Sequence, residues 1–259
     1  MFLLVPFAPC VAGAQEVLSN EKVAVAPIIT DRPDFTESTE TVPVGMTQIE
    51  AGATWTRSGS ERASSWGEVL IRHSLGRKTE MRIEAPTFSR LRGAAGNSRG
   101  FEDGSIGFKQ VLSQGSGKLG LRKPRISVIG ATSLPLGSRD LRQSRLQPEA
   151  KLLFGWDLSE KISLSSNLNL AFLRENGERF REWSASLSLG YSLTEKTASY
   201  VEIYGFAPNG GRARSQFING GFTHHINDDF QLDARLGFGI DNDVAGKNSF
   251  FGLGVARRF

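Results

Sequence analysis

Three histidines, His73, His224 and His225, are the side chains of this sequence best suited to moving protons near neutral pH. His73 stands beside Ser74, a nucleophile and base on paper. Neighbouring side chains of a strand point to opposite faces, so the two cannot serve one substrate along a single strand. All three histidines fall beside short connections, at an end of the molecule where a rim histidine is the favoured reading. The stretch "DNDVAGKN" half resembles a calcium loop, but Ala245 occupies a ligand position and no acidic residue follows at the required distance. "GSGKLG" lacks the spacing and the hydroxyl residue of a phosphate-binding loop. No cofactor, no metal cluster and no paired catalytic carboxylates are expected, so catalysis ranks third among the functions considered.

The remaining chemistry is electrostatic and follows a parity. Glu50, Arg72, Glu80, Arg82, Glu84 and Lys109 occupy the polar alternate positions of segments whose other positions are apolar. Glu149, Lys151, Asn167, Asn169, Glu202, Asp233 and Arg235 do the same further along. Both signs are present in similar number. A charged, proline-broken stretch, "ITDRPDFTEST", precedes the first such segment and supplies Asp31, Arg32, Asp34 and Glu37.

The elements that carry these charges read as strands. In "KISLSSNLNLAF", Ile162, Leu164, Leu168, Leu170 and Phe172 share one parity, and Ser163, Ser165, Asn167 and Asn169 share the other. Side chains of a strand alternate between faces, so this segment has one apolar and one polar face. "WSASLSLGYSL" and "FQLDARLGFGI" repeat the pattern. Twelve such units follow one another from Met46: 46–57, 66–76, 78–89, 103–113, 124–134, 146–158, 161–173, 182–193, 197–207, 214–226, 229–241 and 249–259. Breaks such as "GR", "LSEK" and "INDD" alternate with longer ones such as "SGSERASS", "PLGSRDLRQSR" and "RENGERFR". Long loops at one end, short turns at the other and an even strand number describe a transmembrane β-barrel. A soluble sandwich gives no reason for loops to sort by length.

The fold class is therefore all-β, a single antiparallel transmembrane β-barrel of about 12 strands with short periplasmic turns and longer extracellular loops. Aromatics collect at both ends of the apolar face, with Trp55, Trp66, Trp183, Phe172 and Phe251 at the long loops and Phe154, Trp156, Tyr191, Phe222 and Phe230 at the short turns. The last unit, "FFGLGVARRF", ends on Phe259 and carries a C-terminal aromatic signature of the kind read by barrel-assembly machinery.

Residues 1–14 read as a signal peptide that lacks its basic n-region, and the expectation is a start upstream of Met1. Residues 15–45 read as a periplasmic or lumen-plugging segment and 46–259 as the outer-membrane barrel. Cleavage after Ala14 removes Cys10, the only cysteine. The 31 basic and 27 acidic residues are interspersed, which argues against a nucleic-acid surface.

The chain resembles the family of outer-membrane transporters named for the meta-cleavage (MetA) pathway of phenol degradation. "TDRPDFTES" is similar to that family's N-terminal hallmark. Arg72, Gly76, Glu80 and Arg82 resemble its hairpin, Asp103, Gly104, Gly107 and Lys109 its following strand, and Leu134, Pro135, Gly137 and Ser138 its corner. His73 stands where the family usually has an aromatic and Leu136 where it has threonine. The resemblance implies a barrel and a transport role.

Passive movement of small, aromatic or apolar compounds through a narrow lumen is the leading expectation, in the bacterial outer membrane among lipid and lipopolysaccharide. Two alternatives stay open. The inward charges could brace a closed barrel, or the work could lie in arginine-rich loops around Arg139, Arg142, Arg145, Arg179 and Arg181 that touch lipopolysaccharide phosphates. The stretch around Asp31 could fill the lumen or hang free in the periplasm, since irregular backbone at membrane depth is tolerated only inside a barrel.

Overall fold

A computed structural model describes residues 26–94, 96–117, 119–143, 145–175, 177–242 and 248–259. The signal-peptide reading with Cys10, and the calcium-like stretch at 243–247, lie outside the described residues. No described residue is helical.

The strands are β1 (Thr47–Ser58), β2 (Glu61–Gly76), β3 (Thr79–Glu84), β4 (Phe88–Gly93), β5 (Gly96–Phe101), β6 (Gly104–Gln114) and β7 (Arg125–Leu134). They continue with β8 (Pro148–Asp157), β9 (Ile162–Glu175), β10 (Glu178–Ser192), β11 (Thr197–Pro208), β12 (Ser215–Asn227), β13 (Phe230–Asn242) and β14 (Asn248–Arg258). All pairings are antiparallel. The first strand pairs with both β2 and β14, which closes a 12-stranded barrel and leaves β4 and β5 as an additional hairpin.

The hairpin corrects the expectation of one strand over 78–89 followed by a loop "LRGAAGNSRG". Pro86 has no N–H to give to a ladder, so the third wall strand stops at Glu84 after Ala85 N–H reaches Val69 O at 2.9 Å. It resumes as β4 against the upper part of β2, where Gly67 (φ 97°) and Glu68 (φ 39°) bulge the ladder between the two partners. The corner at 134–138 locks the break: Gly137 N–H donates to Asp103 Oδ1 at 2.9 Å and Ser138 N–H to Phe101 O at 2.7 Å.

A second difference concerns loop length. "SGSERASS" and "RENGERFR" are mostly strand, because β1 and β2 turn at Gly59 and Ser60 and β9 continues to Glu175. Those charged residues lie above the hydrocarbon, where apolar alternation is no longer required, so their strand character leaves no pattern in the sequence.

Burial is inverted relative to a soluble protein. The buried hydrophobics are few, among them Ile129, Leu153 and Ala256, whereas Gln48, Glu50, Arg72, Glu80, Lys109 and Glu202 are at most 1% exposed. The apolar parity is on the outside, with Leu187 47%, Ile203 47%, Ile218 42% and Phe238 50% exposed around the waist. Girdle pairs flank this belt: Trp55 packs edge-on to Trp66 at 4.9 Å at the loop end, and Phe154 stacks on Trp156 at 6.0 Å at the turn end. Hydrocarbon is the solvent that makes this distribution favourable.

Replacing Leu187 by Arg puts a cation on the belt at mid-height and is expected to lower stability by about 2–4 kcal/mol in urea unfolding from phospholipid vesicles. A loss below about 0.5 kcal/mol would contradict a lipid-facing position.

Candidate functional site in the barrel interior

The chain before β1 enters the interior from the turn end. Arg258 donates to Ala26 O at 2.9 Å, and Ile28 N–H donates to Asp228 O at 2.7 Å. It climbs to a tip at residues 34–37 and returns to Met46, bonded to the polar faces of the strands throughout.

Asp31 is the centre of its attachment. The Asp31 carboxylate faces Lys109 Nζ at 3.1 Å, Arg82 at 2.5 Å and Arg72 at 3.6 Å. Three strands supply these cations, β6, β3 and β2. The cations are shared in turn with Glu50, 3.0 Å from Arg72, and Glu80, 2.9 Å from Arg72 and 3.0 Å from Arg82. Three cations thus meet three carboxylates, and charge balance lets all six stay buried. Backbone groups use the remaining valences. Glu50 accepts the N–H of Asp31 and of Arg32 at 3.0 Å, Glu80 accepts that of Val42 at 2.8 Å, and Lys109 donates to Ser38 O at 2.9 Å.

A second cluster holds Arg32, which pairs with Glu68 at 2.8 Å and Asp233 at 3.5 Å and donates to Leu253 O at 3.2 Å. Gly52 and Gly254 leave room for it: a Cβ at either position would collide with the guanidinium. Arg235 donates to Pro33 O and to Thr54 Oγ1, both at 2.9 Å.

The tip is held by Glu202. Its carboxylate accepts Phe35 N–H at 2.9 Å, Thr36 N–H at 2.7 Å and Asn219 Nδ2–H at 2.7 Å. Thr36 Oγ1 lies 2.7 Å from Ser186 Oγ, and Ser188 Oγ donates to Asp34 at 3.0 Å. Glu37 pairs with Lys151 at 3.2 Å and Arg82 at 3.3 Å. Asn167, with its amide turned to satisfy both ends, accepts Glu37 N–H at 3.0 Å.

Three sequence candidates stand apart from this segment. Glu84 accepts from Ser105 at the wetter loop end, Glu149 pairs with Lys151, and Asn169 bonds Ser184. The histidines bond wall neighbours near the turn end, His73 with Thr47 at 2.8 Å, His224 with Thr197 at 2.9 Å and His225 with Gln231 at 3.1 Å.

Two features escaped the sequence reading. An aromatic cluster roofs the tip: Phe35 stacks on Tyr204 at 4.6 Å, Tyr204 on Phe217 at 5.1 Å, and Phe206 meets Phe35 edge-on at 5.3 Å. A parity signal existed, since Tyr204 and Phe206 share the parity of Glu202. The second is a cavity of about 440 Å³ between the segment and the β9–β11 wall, bounded by Thr30, Pro33 and Asp34 on one side and Ser163, Ser165, Ser188 and Gly190 on the other. Short side chains on this wall leave the gap that the charged wall opposite does not.

Replacing Asp31 by Ala leaves Lys109 without a carboxylate and Arg72 and Arg82 with one fewer, and the expected loss is about 3–5 kcal/mol. Urea unfolding measures it, and thermolysin should then cleave within residues 26–46. Unaltered stability and protease resistance would contradict the role given to Asp31.

Among solved structures, the COG4313 outer membrane channel from Pseudomonas putida F1 aligns with TM-score 0.70 at 15% identity, covering 86% of this chain and 98% of that one. The NanC porin aligns with TM-score 0.59 at 6% identity, covering 81% and 98%, and the KdgM porin with 0.53 at 11%, covering 81% and 99%. These likenesses confirm an outer-membrane β-barrel fold. No curated protein matches the sequence. A family model matches residues 30–259, and the chain belongs to the family described as "Putative MetA-pathway of phenol degradation".

Proposed function

We propose that the protein is a channel for passive movement of small aromatic or apolar compounds across the outer membrane, and that residues 26–46 act as its plug. The observation that carries this reading is the arrangement at the tip. The aromatic cluster around Tyr204 gives the loop end of the interior an apolar surface for a flat solute, and the serine-lined cavity of about 440 Å³ lies beside the plug on the side of the turns. A cavity of this size suits a single small molecule rather than an oligomer. The polar residues at its wall would line the passage, with Asp34 and Ser188 at the throat, 3.0 Å apart. Tyr200 Oη, buried there without a hydrogen-bond partner among the described residues, can bond a passing hydroxyl or water.

Family membership and the outer-membrane channels and porins that share the fold support transport over catalysis. The same reading includes assembly through the C-terminal strand ending in Phe259, and contact between the arginine-rich loops and lipopolysaccharide.

Deleting residues 28–40 is expected to raise single-channel conductance in planar bilayers several-fold over the intact protein. Ser165→Trp and Ser188→Trp, which fill the gap, should each reduce liposome swelling by small aromatic solutes. An intact barrel that never conducts above background, together with a deletion that leaves permeability unchanged, would sink the channel and favour a braced, closed barrel.

A further inference from the structure

The outer surface carries arginines that the interior does not use. On β9 and β10 the outward positions run from mid-height to the loop end as Leu168 beside Ala185, Leu170 beside Trp183, Phe172 beside Arg181 and Arg174 beside Arg179. An apolar column, with Phe172 and Trp183 each 48% exposed, is thus crowned by guanidinium groups. Arg145 and Leu146 of the neighbouring connection and Pro148 at the start of β8 flank it, and with Phe172, Arg174, Arg179 and Arg181 they line a surface cavity of about 530 Å³.

None of Arg145, Arg174, Arg179 and Arg181 forms an ion pair with a described carboxylate. Two acids at the same strand ends are held elsewhere, because Arg212 takes Glu175 at 3.0 Å and Glu178 at 3.2 Å. Arg174 and Arg179 stand directly across from one another, and like charges in that position are destabilising unless an anion lies between them. Guanidinium groups bind phosphate through paired N–H donors. A free phosphate would account for the charge alone. Phe172, which lines the cavity, belongs to the outward apolar column with Leu170 and Trp183, so the matching ligand joins phosphate to acyl chains at the outer rim.

We infer that this cluster is a binding site for the phosphorylated glycolipid of the outer leaflet, the lipid A part of lipopolysaccharide, with its phosphates on Arg174, Arg179, Arg181 and Arg145 and its acyl chains along Phe172 and Trp183. The inference rests on the outer-membrane reading and gives the loop contact a defined site.

Native mass spectrometry of the full barrel in detergent, titrated with bisphosphorylated lipid A, tests it. The intact protein should form a one-to-one adduct. The combined Arg174→Gln, Arg179→Gln and Arg181→Gln variant should bind about tenfold more weakly or worse, as expected for losing charge-assisted bonds of about 1.5–3 kcal/mol. A control losing three cations at the opposite end (Arg77→Gln, Lys161→Gln, Lys196→Gln) should bind as the intact protein does, and phosphatidylglycerol should bind at least tenfold more weakly than lipid A. Equal lipid A binding by the arginine variant, an equal loss in the control, or equally tight phosphatidylglycerol would overturn the site. Conductance measured in parallel separates the two readings. A barrel that binds lipid A through these arginines but never conducts overturns the channel alone. One that conducts, yet binds lipid A equally with and without the arginines, overturns the site alone.

Discussion

The carboxylate of Asp31, set among Lys109, Arg82 and Arg72, is the interaction on which the interior depends. Taking one charge out of water costs several kcal/mol, and a single ion pair seldom recovers that. Here Arg72 and Arg82 each meet more than one carboxylate, Lys109 adds two backbone carbonyls to its contact with Asp31, and each of the three carboxylates also accepts backbone N–H groups, so the six charges are satisfied together. Removing the segment would leave Lys109 without Asp31 and without the carbonyls of Ser38 and Glu40. The interior and the N-terminal segment are therefore one structure, although only the strands form the wall.

That arrangement follows from the solvent outside. Hydrocarbon accepts the apolar parity without any partner, so the protein needs no hydrophobic core and its interior is left for polar contacts. A barrel of eight strands is filled by its own side chains, and one of sixteen leaves a water channel. Twelve strands enclose more space than their inward side chains fill. The space divides unevenly: long charged side chains of β1–β3 and β6 grip the segment, while the serines of β9 and β10 leave a gap beside it. Asymmetry in side-chain length, rather than a change in backbone, separates the anchored wall from the open one.

Much of the fold was legible in the residues. The parity of "KISLSSNLNLAF" marks a strand with two solvents, because Leu164, Leu168 and Leu170 face lipid while Asn167 and Asn169 do not. The pattern fades where hydrocarbon ends, which is why the strand character of "SGSERASS" and the extra hairpin after Pro86 were invisible. Pairings inside the barrel were also out of reach, since Lys109 and Asp31 lie 78 residues apart and strand parity says nothing of which wall residue meets which part of an irregular segment. Phe35, Tyr204 and Phe206 were missed because aromatics in a barrel are expected in the outer girdles, and an inward cluster is told apart only by its shared parity with Glu202. Glu68 was hidden by the bulge at Gly67, which takes it out of the regular alternation.

The claim that the segment is locked inside the barrel is tested most directly by a cross-link at its tip. Thr36 and Ser186 bring their hydroxyls to 2.7 Å, so Thr36→Cys combined with Ser186→Cys should yield a disulfide in isolated outer membranes, recovered as a joined peptide after proteolysis. Two free thiols that react with a membrane-impermeant maleimide supplied from the periplasmic side would mean that the segment hangs outside, and the account of the interior would be wrong.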